Sequence, residues 1–137
     1  MGRQWASPAV GDIVWCWFPQ PPNPQPGPKP RPALVVSVAT HEDGVLVHAA
    51  YGTSQRVDRL LAGEFAVRKL ADPSAFALSG LAFDTKFDFN AVLEIPWTDA
   101  FFKPAPRAAF GQTPKLGTLH PSLMRAAKAA FDAAQGL

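Results

Sequence analysis

Short apolar runs separated by turn-forming residues recur along this chain at the spacing of strands. Residues 13–18 read Ile-Val-Trp-Cys-Trp-Phe. In an extended chain Ile13, Trp15 and Trp17 share one face, and Val14, Cys16 and Phe18 share the other. Both faces are apolar and rich in β-branched and aromatic residues, which predicts a strand buried on both sides. Gly11-Asp12 in front of it is a turn signal.

Residues 33–38 (ALVVSV) predict a second strand and residues 45–51 a third. The stretch His41-Glu42-Asp43-Gly44 between them predicts a hairpin turn. Phe65 and Val67 alternate within residues 64–69 and predict a short further strand. Phe83, Thr85, Phe87 and Phe89 alternate with Asp84, Lys86 and Asp88, the pattern of a strand with one solvated face. Residues 91–95 form another apolar run, ended by Pro96. A helical period is found only near the C-terminus. Leu123, Ala127, Ala130, Phe131 and Ala134 predict a helix over 121–135, with Pro121 suited to its first position and Gly136 to its stop. Five or six strands and one terminal helix predict a mainly β fold, an SH3-like partly open β-barrel, in one domain over residues 1–137.

Residues 19–32 interrupt this pattern, since eight of the fourteen are proline. Proline fixes φ and lacks an N–H, which excludes a helix or a central strand. The expectation is a stiff, extended, polyproline-like loop joining the first two strands. Gly27 is its only flexible point, and Lys29 its only charge before Arg31.

Composition narrows the function classes. Apolar residues make up 47% and charged residues 18%, as in a globular protein. The net charge of +2 and the scattered Lys and Arg exclude a polybasic binder of nucleic acid. A lone cysteine, Cys16, excludes a disulfide within one chain, and His41, His48 and His120 stand too far apart for a Cys/His zinc pattern. No metal or cofactor is implied. Residues 1–8 lack a secretory leader pattern, and no apolar run nears the roughly 20 residues of a membrane span. The expectation is a soluble, cytoplasmic protein without a membrane partner.

Three segments in order resemble the PemK/MazF toxins of type II toxin–antitoxin systems. They are Gly11-Asp12-Ile13-Val14-Trp15, Arg31-Pro32-Ala33-Leu34-Val35-Val36-Ser37 and Thr53-Ser54-Gln55. Gly117-Thr118-Leu119 is a weaker fourth match. The resemblance implies an SH3-like barrel, a homodimer and an endoribonuclease that cuts single-stranded RNA without metal and leaves a 2′,3′-cyclic phosphate. It also implies neutralisation by a cognate antitoxin protein, and it makes Arg31 and Thr53 the catalytic pair. Two features depart from the family pattern. Cys16, Trp17 and Phe18 stand where a polar, often acidic, residue is usual, and the loop before Arg31 is unusually proline-rich.

The residues suit that chemistry. When the neighbouring 2′-hydroxyl is the nucleophile, the protein must hold the strand, move protons and stabilise a crowded anion. The planar fork of an arginine matches two phosphate oxygens, and a pKa above about 12 makes it a charge binder rather than a base. A threonine hydroxyl can donate to the same phosphate. Ser54, Gln55, Lys29, Lys86 and His48 are candidates for binding RNA. Any of the three histidines is a candidate acid or base. Trp17, Trp97, Phe101 and Phe102 are candidates for core, dimer contact or base stacking. The competing class is a non-catalytic SH3-like interaction protein, or a toxin that binds a protein target such as gyrase.

Overall fold

The computed structural model describes residues 5–106 and 111–136; residues 1–4, part of the segment read above for a leader, lie outside it. Six strands form one sheet: β1 (Asp12–Cys16), β2 (Arg31–His41), β3 (Gly44–Thr53), β4 (Glu64–Val67), β5 (Thr85–Pro96) and β6 (Lys115–Thr118). Their order is β4-β5-β3-β2-β1-β6, and every pair is antiparallel. The mainly β architecture and the terminal helix agree with the sequence pattern. The sheet is not closed into a barrel, because the edge strands β4 and β6 do not pair with each other.

β1 shows why the first run is apolar on both faces. Ile13 packs into one core with Leu34, Ala50, Phe65, Phe87 and Phe89. Val14 and Cys16 pack into a second, with Ala33, Val35, Val47, Ala49, Ile95, Trp97 and Phe102. The sheet therefore buries apolar side chains on both of its faces. β2 and β3 close through Glu42-Asp43, with His41 opposite Gly44, as the hairpin signal requires.

The two apolar runs at 83–89 and 91–95 are one strand with a bulge. Ala50 pairs with Val92 while its neighbour Tyr51 pairs with Asp88, so residues 89–91 have no counterpart on β3. The Phe89 N–H donates to Gly63 O at 2.9 Å, and Asn90 Nδ2 donates to Ala62 O at 2.8 Å. The strand starts only at Thr85, which leaves Phe83 71% exposed instead of on the core face. The facing polar residues are not simply solvated. Asp84 Oδ1 accepts from the Lys69 N–H at 2.8 Å, and Lys86 is buried.

Two helices cover the sheet. α1 (Pro73–Ser79) follows β4 and packs on β6; α2 (Met124–Ala134) packs on β4 and β5. α1 has no counterpart in the sequence pattern, although Pro73 at its start and left-handed Gly80 (φ 70) at its end are ordinary boundary signals. It is too short to display a period. The expected helix begins as a 3-10 turn, Pro121–Leu123, in which His120 Nδ1 accepts from the Ser122 N–H at 3.0 Å. Leu123, Ala127 and Ala130 are buried as expected, whereas Phe131 is 40% exposed and meets Phe89 edge-on with ring centroids 5.6 Å apart.

Candidate active site

The end of the sheet where β2 begins and β3 ends gathers the polar groups. Ala33 lies opposite Tyr51, and the same register continued two residues along each strand sets Arg31 opposite Thr53. Directly opposed residues share a face. Arg31, Tyr51 and Thr53 thus extend the Ala33–Val35 face, where the second core gives way to a cavity. The cavity encloses about 550 Å³ and is lined by Phe18, Pro19, Gln20, Pro21, Pro28, Lys29, Arg31, Tyr51 and Ala91. The bulge in β5 brings Ala91 to this lining.

Aromatic rings form its floor. The Arg31 Cζ sits 5.3 Å from the centroid of the Tyr51 ring, and Phe18 meets Tyr51 edge-on at 5.2 Å. A cation over a ring in this way gains about 0.5–1 kcal/mol at an exposed site, enough to favour one placement of a flexible arginine. Tyr51 was not among the sequence candidates. Its signal was its position two residues before Thr53, on the same strand face.

The proline-rich loop is the wall, and it is not the straight polyproline rod expected. The Asn23 N–H donates to Gln20 O at 3.0 Å, and the Gln25 N–H donates to Asn23 Oδ1 at 3.0 Å, so the chain turns back on itself. The Gly27 N–H then donates to Trp17 O at 3.1 Å. A Cβ at Gly27 would stand 2.1 Å from Phe18 O. Gly27 is therefore a close-packed anchor rather than a flexible point. The anchored return carries Lys29 to the cavity beside Arg31.

Thr53 ends β3 in a side-chain turn, its Oγ1 accepting from the Gln55 N–H at 3.1 Å. One lone pair is used in this way, and the hydroxyl proton stays available for an external acceptor. Ser54 and Gln55 are exposed in the same turn, and Arg56 follows with φ 51, a left-handed conformation rarely held without a reason.

The other candidates stand elsewhere. Lys86 is paired with Thr53 across β3 and β5, but its side chain is only 8% exposed and its Nζ meets Glu64 Oε1 and Arg59 O, each at 3.0 Å. It is not available to follow a phosphate. His48 lies five residues back along β3 from Thr53, roughly 17 Å in an extended strand. There His48 Nδ1 is hydrogen-bonded to Ser37 Oγ at 2.9 Å, and its Nε2 lies 3.4 Å from Glu94 Oε2. His41 lines a separate cavity at the hairpin, and His120 caps the terminal helix. The cavity at Arg31 thus holds no histidine among the described residues. Trp97 and Phe102 belong to the core, while Trp17 and Phe101 stay partly exposed. Cys16 is fully buried, and that burial pushes its thiol pKa far up.

Among the described residues no cluster of three or more His, Cys, Asp or Glu has the spacing of a metal site, and no helix is long and apolar enough to cross a membrane. No curated protein sequence matches the chain. Its fold is similar to that of an endoribonuclease from Mycobacterial species solved in complex with its cognate antitoxin, at TM-score 0.58 and 18% identity over 96% of this chain and 97% of the other. It is also similar to Mycobacterium tuberculosis toxin MazF-mt6, at TM-score 0.55 and 21% identity over 92% and 97%. The family described as PemK-like, MazF-like toxin of type II toxin-antitoxin system matches residues 9–87, which carry Arg31, Thr53 and all of the cavity lining but Ala91. The chain belongs to this family of toxins.

Proposed function

We propose that this toxin is an endoribonuclease that cuts single-stranded RNA, with Arg31 and Thr53 at the scissile phosphate. One observation carries the reading: Ala33 lies opposite Tyr51, and that β2–β3 register, continued two residues, sets Arg31 of the cavity lining across from Thr53 at the end of β3. The 2′-hydroxyl oxygen attacks its own phosphorus, forming the P–O2′ bond as the P–O5′ bond breaks. The 2′ proton is lost and the departing 5′ oxygen gains one. The ends are a 2′,3′-cyclic phosphate and a 5′-hydroxyl, and no metal is required. Arg31 offsets the charge gathering on the non-bridging oxygens, and the Thr53 hydroxyl donates to one of them. Lys29 meets a neighbouring backbone phosphate, and Ser54 and Gln55 supply further donors. His48 is left outside this site.

The similar structures, endoribonucleases of which one is bound to its cognate antitoxin, support the activity and the partner class. We place the toxin in the cytoplasm as one domain, a homodimer neutralised by an antitoxin protein. Trp17 and Phe101 are the aromatic candidates for the dimer or antitoxin contact. A single 14.7 kDa species in sedimentation at micromolar concentration would count against the dimer. The activity is tested by incubating the protein with mixed-sequence RNA in excess EDTA and mapping the ends. Cyclic phosphate and 5′-hydroxyl ends are expected. Intact RNA would favour the reading as a protein-binding toxin.

A further inference from the structure

The segment that leaves Thr53 is held by an unusual set of bonds. Lys86 Nζ donates to Arg59 O at 3.0 Å and to Glu64 Oε1 at 3.0 Å. The same Glu64 Oε1 accepts from the Leu61 N–H at 2.7 Å. Arg68 Nη2 donates to Val57 O at 2.5 Å, and Asn90 Nδ2 donates to Ala62 O at 2.8 Å. Four side chains from β4, β5 and the residue after β4 thus grip the backbone of residues 57–62 from beneath. The central ion pair is nearly dry, its side chains 8% and 7% exposed. A buried pair is poor value as a stabiliser, since well-packed apolar residues would serve as well or better. It does, however, fix geometry, because each charge is held by a second partner. Above the clamp, Arg56 and Arg59 are exposed, and neither guanidinium belongs to an ion pair among the described residues.

We propose that the Glu64–Lys86 pair is a positioning device that sets Arg56 and Arg59 as a second phosphate-binding point for single-stranded RNA, next to the phosphate at Arg31 and Thr53. The assignment rests on the ribonuclease reading and names a further part of the same groove. Lys86 acts through the loop and does not touch RNA. Its Cα lies opposite Thr53, so the pair ties the catalytic strand end and the cationic loop into one frame. The left-handed turn at Arg56, closed by the Arg59 N–H donating to Arg56 O at 3.0 Å, puts both guanidiniums on one short turn. Two cations on one fixed turn match successive phosphates of an unpaired strand better than two on a mobile loop, because less side-chain and loop freedom is lost on binding.

The test is the salt dependence of binding to a mixed-sequence 2′-O-methyl RNA, which keeps the phosphates but cannot be cut. Each phosphate contact to a single strand contributes about 0.7 to the slope of log K against log salt. Arg56→Ala/Arg59→Ala, two surface changes, should lower the slope by about 1.4 and weaken binding about tenfold near physiological salt. Lys86→Met should lower slope and affinity in the same way, and adding it to the double variant should cost little more, since all three act on the same two contacts. A double variant with unchanged slope overturns the assignment of the loop. A folded Lys86→Met protein with the slope of the parent overturns the positioning role. Absence of binding by the parent itself would instead overturn the ribonuclease reading on which both rest.

Discussion

The Arg31 guanidinium lies over the ring of Tyr51, its Cζ 5.3 Å from the centroid, at the mouth of the cavity that the proline-rich loop encloses. The ring holds a long, flexible side chain near one position while leaving its donors free for an anion. If that is its task, Tyr51→Leu should slow RNA cleavage about two- to fivefold, the rate equivalent of the 0.5–1 kcal/mol in such a contact. Tyr51→Phe keeps the ring and should cleave at close to the parental rate. Single-turnover kinetics on a defined oligonucleotide would decide; an equal loss in both variants would mean that the phenol hydroxyl itself acts on RNA.

Gly27 anchors the wall. A methyl group there meets Phe18 O at 2.1 Å, so Gly27→Ala must displace the loop or the end of β1. We expect a loss of about 1–3 kcal/mol in unfolding free energy, typical of overpacking, measured by urea denaturation. Replacing residues 20–28 by a Gly/Ser linker of equal length should leave the sheet folded by circular dichroism, because none of these residues pairs in it. Cleavage or antitoxin affinity should then fall. If neither falls, the loop is only a connector.

Much of this architecture was legible from residue patterns, and the failures share a cause. The strands around the hairpin could be read because alternation and a two-residue turn are local properties. The ordered motifs led to Arg31 and Thr53, since an antiparallel hairpin brings the start of one strand to the end of the next. α1 has too few residues to show a helical period, and β6 (Lys-Leu-Gly-Thr) holds one large apolar residue, so it lacks the alternation that Phe65 and Val67 give β4. The sequence pattern divides β5 into two runs, because the chain alone does not show that residues 89–91 are held by backbone and side-chain bonds to Ala62 and Gly63. Alternation puts Lys86 on a solvated face, because it says which residues share a face, not what covers it. The cover is the loop that follows Thr53. Gly27 reads as a flexible point for the same reason: its missing side chain serves close packing against Phe18, a contact nine residues away in sequence.

Cys16 offers a test of the second core. Its thiol is fully buried, and that burial raises its pKa well above the ordinary value of 9.0. The folded chain therefore keeps the proton where the unfolded chain loses it. Below about pH 9 both states are protonated and this group adds no pH dependence. Above it the unfolded state is favoured by about 1.4 kcal/mol per pH unit from this thiol alone. Cys16→Ala should be less stable than the parent at pH 7, and that deficit should shrink between pH 9 and 10. A thiol reagent at pH 8 should label the native protein hardly at all and label it fully in denaturant. Rapid labelling of the folded protein would contradict this packing.

The central claim is that Arg31 stabilises charge at the scissile phosphate. The most direct measurement is the single-turnover cleavage rate of Arg31→Ala on single-stranded RNA in excess EDTA, with circular dichroism and thermal unfolding run on the same preparation. The account predicts a loss on the order of 10² or more in rate, the scale of losing one donor to a transition-state anion, with folding little changed. An Arg31→Ala protein that folds normally and cuts RNA at the parental rate would contradict it.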